Sequence, residues 1–235
     1  MTWRLRDARR ALWRRARRLW FVLFQRRRHD RLVLEHTGGR PLLVLPGVLN
    51  PVLFRTGLFL AETFDATPLS PQASVLDMGC GSGIGAIVAA RRARRVVAVD
   101  INPSAVRCTR INAMLNGVED SVEASVGDLF APVRGERFDV VLFNPPFYRG
   151  VPRRGLEQAL FATDVMERFA DGLAGHLVSD GCALVVLSSD GDEAGCLDAL
   201  RTRGLEVQQA ASRDLRSEIL TVYRVRVRAL PPAAS

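Results

Sequence analysis

The stretch VLDMGCGSG, residues Val75–Gly83, places an apolar strand, a glycine-rich turn and the start of a helix in direct succession. Glycines let the backbone approach a ligand closely and adopt conformations that are closed to other residues. Asp77 ends the strand just before the turn, where a carboxylate can meet a cationic amino-acid ligand. A pyrophosphate would be repelled by that charge, although Gly81–Ala86 also fits the dinucleotide pattern G-x-G-x-x-A. The stretch therefore indicates a nucleotide-type crevice and favours a cationic ligand.

Apolar strand-like segments alternate with helical segments on the carboxyl side of this turn. The pattern predicts strands at Ser74–Leu76, Val96–Val99, Val122–Val126, Val140–Phe143, Ala183–Leu187, Leu205–Gln209 and Leu220–Val227. It predicts helices at Gly85–Arg91, Ser104–Asn116, Leu156–Leu177 and Glu193–Arg201. Such alternation is typical of a Rossmann-like α/β fold with a mostly parallel sheet covered on both faces. Only Ala210–Ile219 separates the last two of seven strands, which is too short for a crossover helix, so we expect an antiparallel hairpin there.

The residues before the turn divide into two sections. Residues 1–28 carry 11 Arg against Asp7 alone, and their apolar residues recur at helical spacing. They predict a basic amphipathic arm, which suits an anionic membrane surface or RNA, or a helix packed on its own domain. Residues 29–71 predict a β-hairpin, Arg31–Glu35 with Pro41–Leu45, and a short helix, Leu58–Phe64. We therefore expect an arm (1–28), a hairpin section (29–71), one main domain (72–230) and a tail (231–235).

Composition narrows the possible functions. The 235 residues are 48% hydrophobic and 25% charged, which suits one globular domain. Every basic side chain is Arg, and residues 32–235 are nearly neutral, so the net charge of +8 belongs to the arm. The four cysteines form no C-x-x-C pair and there are only three His, so we expect reduced thiols, no metal site and no His-based triad. No apolar run approaches the ~20 residues that span a bilayer, and we expect a cytoplasmic protein.

Two further acids follow the next two predicted strands. Asp100 lies 21 residues after Gly79, where a carboxylate can accept both hydroxyls of a ribose, whether that ribose belongs to NAD or to S-adenosylmethionine (SAM). Asp128 lies just past the third strand and can accept the exocyclic amine of an adenine. Because parallel strands end at the same edge of a sheet, we expect Asp77, Asp100 and Asp128 to line one crevice.

The motif NPPF, Asn144–Phe147, follows the fourth predicted strand. Two prolines hold a short rigid turn, which positions the Asn144 side-chain oxygen and the Pro145 carbonyl as acceptors. A planar –NH2 group can donate one hydrogen to each, which directs the nitrogen lone pair at a methyl donor, while Phe147 stacks on the planar group. Positioning and electrostatics then do the catalysis, without a strong general base. The motif predicts methylation of an amine or amide nitrogen.

The chain from about Gly47 to Val227 resembles the small-methyltransferase domain family, which contains HemK/PrmC-type glutamine N5-methyltransferases. That family shares the glycine loop and the Asn-Pro-Pro-aromatic motif with RNA guanine-N2 and adenine-N6 methyltransferases. The resemblance implies the class I methyltransferase fold, SAM as cofactor and a target gripped by Asn144, Pro145, Pro146 and Phe147. It implies cofactor contacts from Asp77, Gly79, Cys80, Gly81, Gly83, Asp100, Ile101, Asp128, Leu129 and Asn144.

Two departures from the family pattern bear on the acceptor. The segment Asn50–Gly57 carries Arg55 where an acid is common, and Phe147 stands where glutamine enzymes most often have Tyr. We expect a protein glutamine in a release-factor-like partner, with an RNA base or a small molecule as alternatives. A non-catalytic Rossmann module is a further hypothesis, which the intact Asn-Pro-Pro motif and the three acids disfavour. An NAD-linked dehydrogenase is another, which the absence of a nearby proton-transfer His disfavours.

Overall fold

The computed structural model describes residues 31–146, 148–149 and 161–228, and for 148–149 and 161–162 it describes the backbone alone. The described chain begins with an antiparallel hairpin, β1 (Val33–Thr37) and β2 (Arg40–Val44). Two helices follow, α1 (Pro51–Phe54) and α2 (Thr56–Asp65). The predicted hairpin is confirmed, but α1 was not predicted. The prolyl residue at its first position and the Asn50 side chain that accepts from the Val52 N–H start this extra turn.

The central sheet has seven strands. They are β3 (Ser74–Met78), β4 (Arg95–Asp100), β5 (Val122–Val126), β6 (Phe138–Phe143), β9 (Leu177–Ser188), β10 (Leu205–Asp214) and β11 (Ile219–Val227). Their order is β10-β11-β9-β6-β3-β4-β5, and β11 alone runs in the direction opposite to the other six. The predicted seven-stranded, mostly parallel sheet with a terminal antiparallel hairpin is confirmed. A separate two-residue parallel pair joins β7 (Tyr148–Arg149) to β8 (Phe161–Ala162).

Helices cover both faces of the sheet. They are α3 (Ile84–Ala90), α4 (Pro103–Leu115), α5 (Val165–Leu173) and α6 (Glu193–Arg201). One core cluster joins α2 and α3 to one face, and a second cluster joins α5 and α6 to the other. Helix α4 packs on β2, β4 and β5, so it connects the hairpin to the sheet. Within the described ranges, no helix has both the length and the apolar character needed to cross a bilayer.

The predicted helix Leu156–Leu177 is wrong in part of its described residues, where α5 covers Val165–Leu173; residues 156–160 lie outside the described residues. The residues before α5 include β8, and Leu177 begins β9 instead of ending a helix. The polar run before Cys182 resembles a turn in the sequence, yet it continues the strand. Gly181 permits this, because a Cβ there would lie 2.9 Å from the Phe138 carbonyl oxygen. The register between β6 and β9 shifts at the same place.

Candidate active site

One cavity of about 510 Å³ lies at the carboxyl ends of β3, β4, β5 and β6. Parallel strands of open α/β sheets commonly bind ligands at this edge. Ten of the predicted site residues line the cavity: Asp77, Gly79, Cys80, Gly81, Asp100, Ile101, Asp128, Leu129, Asn144 and Pro146. Gly83 and Pro145 do not line it, and Phe147 lies outside the described residues. The structure thus brings most of the predicted site together from four separate strands.

The glycine loop, Gly79–Gly83, is fixed by the neighbouring strand. All three of its glycines have positive φ, at +68° for Gly79, +52° for Gly81 and +82° for Gly83. The amides of Gly79 and Cys80 donate to the Val99 carbonyl, at 2.8 and 3.0 Å. An L side chain is strained in this backbone conformation, so the loop requires glycine at these positions.

Asp77 is buried at the end of β3 and lines the cavity. Its carboxylate accepts from the Ala86 amide at 2.8 Å, in the first turn of α3. A Cβ at Gly85 would lie 2.8 Å from both carboxylate oxygens, so this glycine makes room for the acid. Burial raises the pKa of Asp77 to about 7; the Ala86 hydrogen bond opposes the shift and the nearby Asp100 charge adds to it. The site therefore holds a carboxyl group that a cationic ligand would ionise.

Asp100 fixes the opposite side of the glycine loop. One of its oxygens accepts from the Gly81 amide at 2.9 Å and the other from the Asn102 amide at 2.8 Å. Burial raises its pKa, and the two backbone hydrogen bonds oppose that shift. The next residue, Ile101, is 65% exposed although it is large and apolar. An apolar side chain held at the rim of a cavity suits the flat face of a ligand ring.

Asp128 has a partner that the sequence did not indicate. Its Oδ2 accepts from Arg168 of α5 at 2.6 Å, and Arg168 also lies 3.4 Å from Asp164. Both side chains of the Asp128–Arg168 pair are nearly half exposed, so the pair contributes little to stability. Leu129 follows with φ +47°, a strained conformation for a branched residue. The pair holds the end of β5 and the start of α5 together at the cavity.

The side-chain oxygen of Asn144 is an acceptor without a donor among the described residues. This atom, Oδ1, is buried. An unsatisfied buried carbonyl oxygen costs about 1–3 kcal/mol, so such an atom in a cavity points to a missing donor. Pro146 lines the same cavity, whereas Pro145 is buried behind it.

The segment before the main domain forms the wall beside Asn144. Asn50, Pro51, Phe54, Thr56 and Gly57 all line the cavity. The Asn50 amide donates to Glu35 of β1 at 2.7 Å, which attaches this wall to the hairpin. A Cβ at Gly57 would lie 3.7 Å from Asn144 Nδ2, so the wall packs directly on the amide. The pattern of Asn50–Gly57 was recognisable in the sequence, but its place in the site was not predicted.

The chain matches the model of the Methyltransferase small domain family over residues 53–211. It belongs to that family. The match runs from within α1 to within β10 and includes every predicted site residue.

Two relatives resemble this methyltransferase in sequence. A Methanocaldococcus jannaschii protein with the provisional name protein N5-glutamine methyltransferase is 36% identical over 146 residues, which are 58% of this chain and 73% of the relative. The Escherichia coli ribosomal RNA small subunit methyltransferase C is 33% identical over 155 residues, which are 64% of this chain and 41% of that enzyme. This chain is therefore a SAM-dependent methyltransferase that spans less than half of the second relative.

Solved structures show the same fold. The T. thermophilus 16S rRNA N2 guanine methyltransferase, in complex with SAM and guanosine, has a TM-score of 0.63 at 22% identity. The match covers 84% of this methyltransferase and 50% of that chain. The E. cuniculi Mtq2–Trm112 complex, which methylates a translation termination factor, gives 0.56 at 20% identity, over 73% of this chain and 94% of that one.

The residues of the cavity fit SAM as a cofactor. Among its described lining residues, four are acidic and Arg168 is the basic one. Acids suit a ligand that carries a sulfonium and an ammonium group, and Asp100 and Asp128 suit its ribose hydroxyls and adenine amine. In the described part of the chain, no three His, Cys, Asp or Glu side chains form a group that could hold a metal. All four cysteines are free and buried, and burial raises the pKa of the Cys80 thiol.

Proposed function

We propose that this methyltransferase transfers a methyl group to the nitrogen of a planar amide or amine. The observation that carries the proposal is the buried Oδ1 of Asn144, which lacks a donor among the described residues. A primary amide or an exocyclic base amine has two N–H groups and can supply that donor. The acids of the cavity suit SAM on the other side of Asn144, so the acceptor nitrogen and the cofactor would meet at this residue.

The proposed chemistry depends on orientation. SAM, when bound, supplies an activated methyl group. Asn144 accepts a hydrogen bond from the target nitrogen and so fixes the direction of its lone pair. The enzyme then contributes by holding two reactants in place and by stabilising the positive charge that develops on nitrogen. The target nitrogen gains the methyl group and gives up one N–H proton to solvent, so the transfer balances.

We infer that the acceptor is a protein glutamine side chain. The M. jannaschii relative, whose provisional name states that activity, is matched over 73% of its length. The wall beside Asn144 is uncharged at Phe54, Thr56, Gly57 and Leu60, which suits a neutral amide. An RNA base is the second candidate, because the ribosomal RNA methyltransferase relative is 33% identical and is matched over more of this chain. The acceptor protein would be a release-factor-like partner.

Methyl transfer from tritiated SAM to a cell extract tests the acceptor. We expect label that protease releases and ribonuclease leaves in place, and acid hydrolysis of the labelled protein should release the label as methylamine, because acid cleaves the side-chain amide of an N-methylated glutamine. Label that only ribonuclease releases would overturn the protein assignment in favour of RNA.

Asn144 variants test the mechanism on the labelled substrate. Asn144→Ala should lower turnover by on the order of a hundredfold and change SAM affinity only a few-fold, because its acceptor acts on the target nitrogen. Asn144→Asp keeps an acceptor and should retain more activity than Asn144→Ala. Asn116→Ala, an asparagine that does not line the cavity, is the matched control. Wild-type turnover in Asn144→Ala would refute the mechanism.

We also propose a cytoplasmic location, with the basic arm as a contact for an anionic partner. The arm lies outside the described residues, so this proposal rests on its sequence alone. Its Arg-rich composition favours RNA or an anionic membrane surface as that partner.

A further inference from the structure

Helix α4 holds the glycine loop with two polar side chains that are completely buried. Thr109 and Asn112 are each 0% exposed, and neither lines the cavity. The Thr109 hydroxyl donates to Cys80 Sγ at 3.2 Å and lies 3.4 Å from the Gly81 carbonyl oxygen. The Asn112 amide donates to the Ser82 carbonyl oxygen at 2.9 Å. Three consecutive residues of the loop are thus contacted by one face of α4.

The same Asn112 amide attaches the hairpin. Its Oδ1 accepts from the Leu43 amide and its Nδ2 donates to the Leu43 carbonyl, both at 2.7 Å. One side chain therefore satisfies both backbone groups of a strand residue and one carbonyl of the glycine loop. Buried polar groups of this kind are costly to leave unpaired. The Asn112 side chain consequently links the hairpin to the glycine loop by hydrogen bonds.

Close packing gives this contact little freedom. Gly83 has φ +82°, and a Cβ there would lie 2.9 Å from the Thr109 Cα. The loop backbone therefore lies directly against α4. This explains why Gly83, which we predicted to bind the cofactor, lies away from the cavity. Gly83 packs on the helix because it has no Cβ, which would come too close to Thr109.

We propose that Thr109 and Asn112 are positioning residues for the cofactor, which fix the glycine loop in its binding shape before the cofactor arrives. The proposal rests on the placement of SAM against this loop. Three glycines with positive φ can adopt many other shapes when nothing holds them, and binding would then have to order the loop. Hydrogen bonds that order it in advance make binding tighter without touching the ligand.

Asn116, which caps the carboxyl end of α4, offers a matched control. Its amide donates to the Pro41 carbonyl of the hairpin at 3.0 Å and to the Asn112 carbonyl at 2.9 Å. It thus shares the contact with the hairpin but has no hydrogen bond to the glycine loop. Asn112→Ala removes the contacts to Leu43 as well as the one to the loop, so Thr109→Val, whose hydroxyl contacts Cys80 and Gly81, assigns a loss to the loop.

Calorimetric titration of the full chain with SAM gives the first measurement. We expect dissociation constants raised about fivefold in Thr109→Val and on the order of tenfold or more in Asn112→Ala, and within about twofold of wild type in Asn116→Ala. Thr109→Val keeps the shape of the side chain, so it decides the question if Asn112→Ala does not fold. Wild-type affinity in Thr109→Val, or an equal loss in Asn116→Ala, would overturn the proposal.

Hydrogen exchange gives a second readout that a purely structural role would not produce. Amides of residues 79–86 should exchange faster in cofactor-free Thr109→Val than in wild type, and saturating SAM should restore their protection. Unchanged exchange in this segment would contradict the proposal. Asp100→Ala tests the placement of SAM separately from the positioning role of Thr109 and Asn112. If Asp100→Ala weakens SAM binding and Thr109→Val does not, only the positioning role is refuted. If Asp100→Ala also leaves binding unchanged, the placement of SAM is wrong.

Discussion

The buried carboxyl group of Asp77 should make cofactor binding depend on pH. Its pKa is raised to about 7, chiefly by burial, so the empty site holds this group protonated in mildly acidic solution. If the ammonium of SAM meets Asp77, binding selects the ionised form and releases a proton. The ionised fraction rises about fifteenfold between roughly pH 5.5 and pH 7, so the dissociation constant should fall by that factor.

The raised pKa of Asp77 should also make the stability of the ligand-free protein depend on pH. The folded-state pKa lies above the unfolded value of 3.8, so the folded chain binds the extra proton between these two values. Stability from this group is therefore fully present below about pH 4 and is lost as the pH rises to about 7. The difference amounts to about 4 kcal/mol at most. Denaturant unfolding across this range should show the slope in wild type and lose most of it in Asp77→Asn.

Calorimetry in buffers of different ionisation enthalpy measures the released proton directly. At about pH 6, SAM binding should release close to 0.9 proton from wild type and none from Asp77→Asn. The control ligand is 5′-methylthioadenosine, which keeps the ribose and adenine and lacks the ammonium, so its affinity should not follow the titration. Equal pH dependence for both ligands would show that Asp77 does not face the ammonium.

Two further predictions concern the ribose contact and the arm. Asp100→Ala removes a charged acceptor for two hydroxyls and should weaken binding of both SAM and its demethylated product by roughly 2–4 kcal/mol, measured by calorimetry. Deletion of residues 1–28 should leave SAM binding intact, because every predicted cofactor residue lies at or beyond Asp77, and should weaken association with anionic vesicles or RNA in a salt-dependent way. Trp3, Trp13 and Trp20 are the only tryptophans of the sequence, so their fluorescence reports what the arm contacts. A blue shift with anionic vesicles and not with RNA would indicate a membrane partner. Unchanged emission with both ligands, together with unfolding of the truncated domain, would refute a binding role for the arm.

The site residues that could be predicted from the sequence are those that stand at or just after the end of a strand. Asp77, Asp100 and Asp128 could be placed in one crevice because parallel strands finish at one edge, and that placement needs no knowledge of side-chain contacts. The same rule identified Asn144 after β6. Local periodicity also defined the seven strands, although it began β9 too late, at Ala183, because polar residues stand just before Gly181.

The residues that sequence reasoning missed act through contacts between distant parts of the chain. Arg168 pairs with Asp128 across 40 positions, and Asn112 reaches Leu43 across 69. In the sequence, Asn112 is one polar residue in an amphipathic helix, and nothing in its spacing indicates three backbone partners. Such roles depend on which surfaces the fold brings together, so they become visible only with the structure.

The position of β11 between β9 and β10 has a consequence for synthesis on the ribosome. Strand β10 is hydrogen-bonded within the sheet only to β11, and β9 has β6 on its other side. Until residues 219–227 emerge, the edge of β9 that pairs with β11, residues 183–188, stays open and β10 has no neighbour to pair with. Open edges of this length promote association between nascent chains. A substitution that delays β11, such as a proline at its centre, should therefore reduce soluble yield far more than it weakens SAM binding in the protein that does fold.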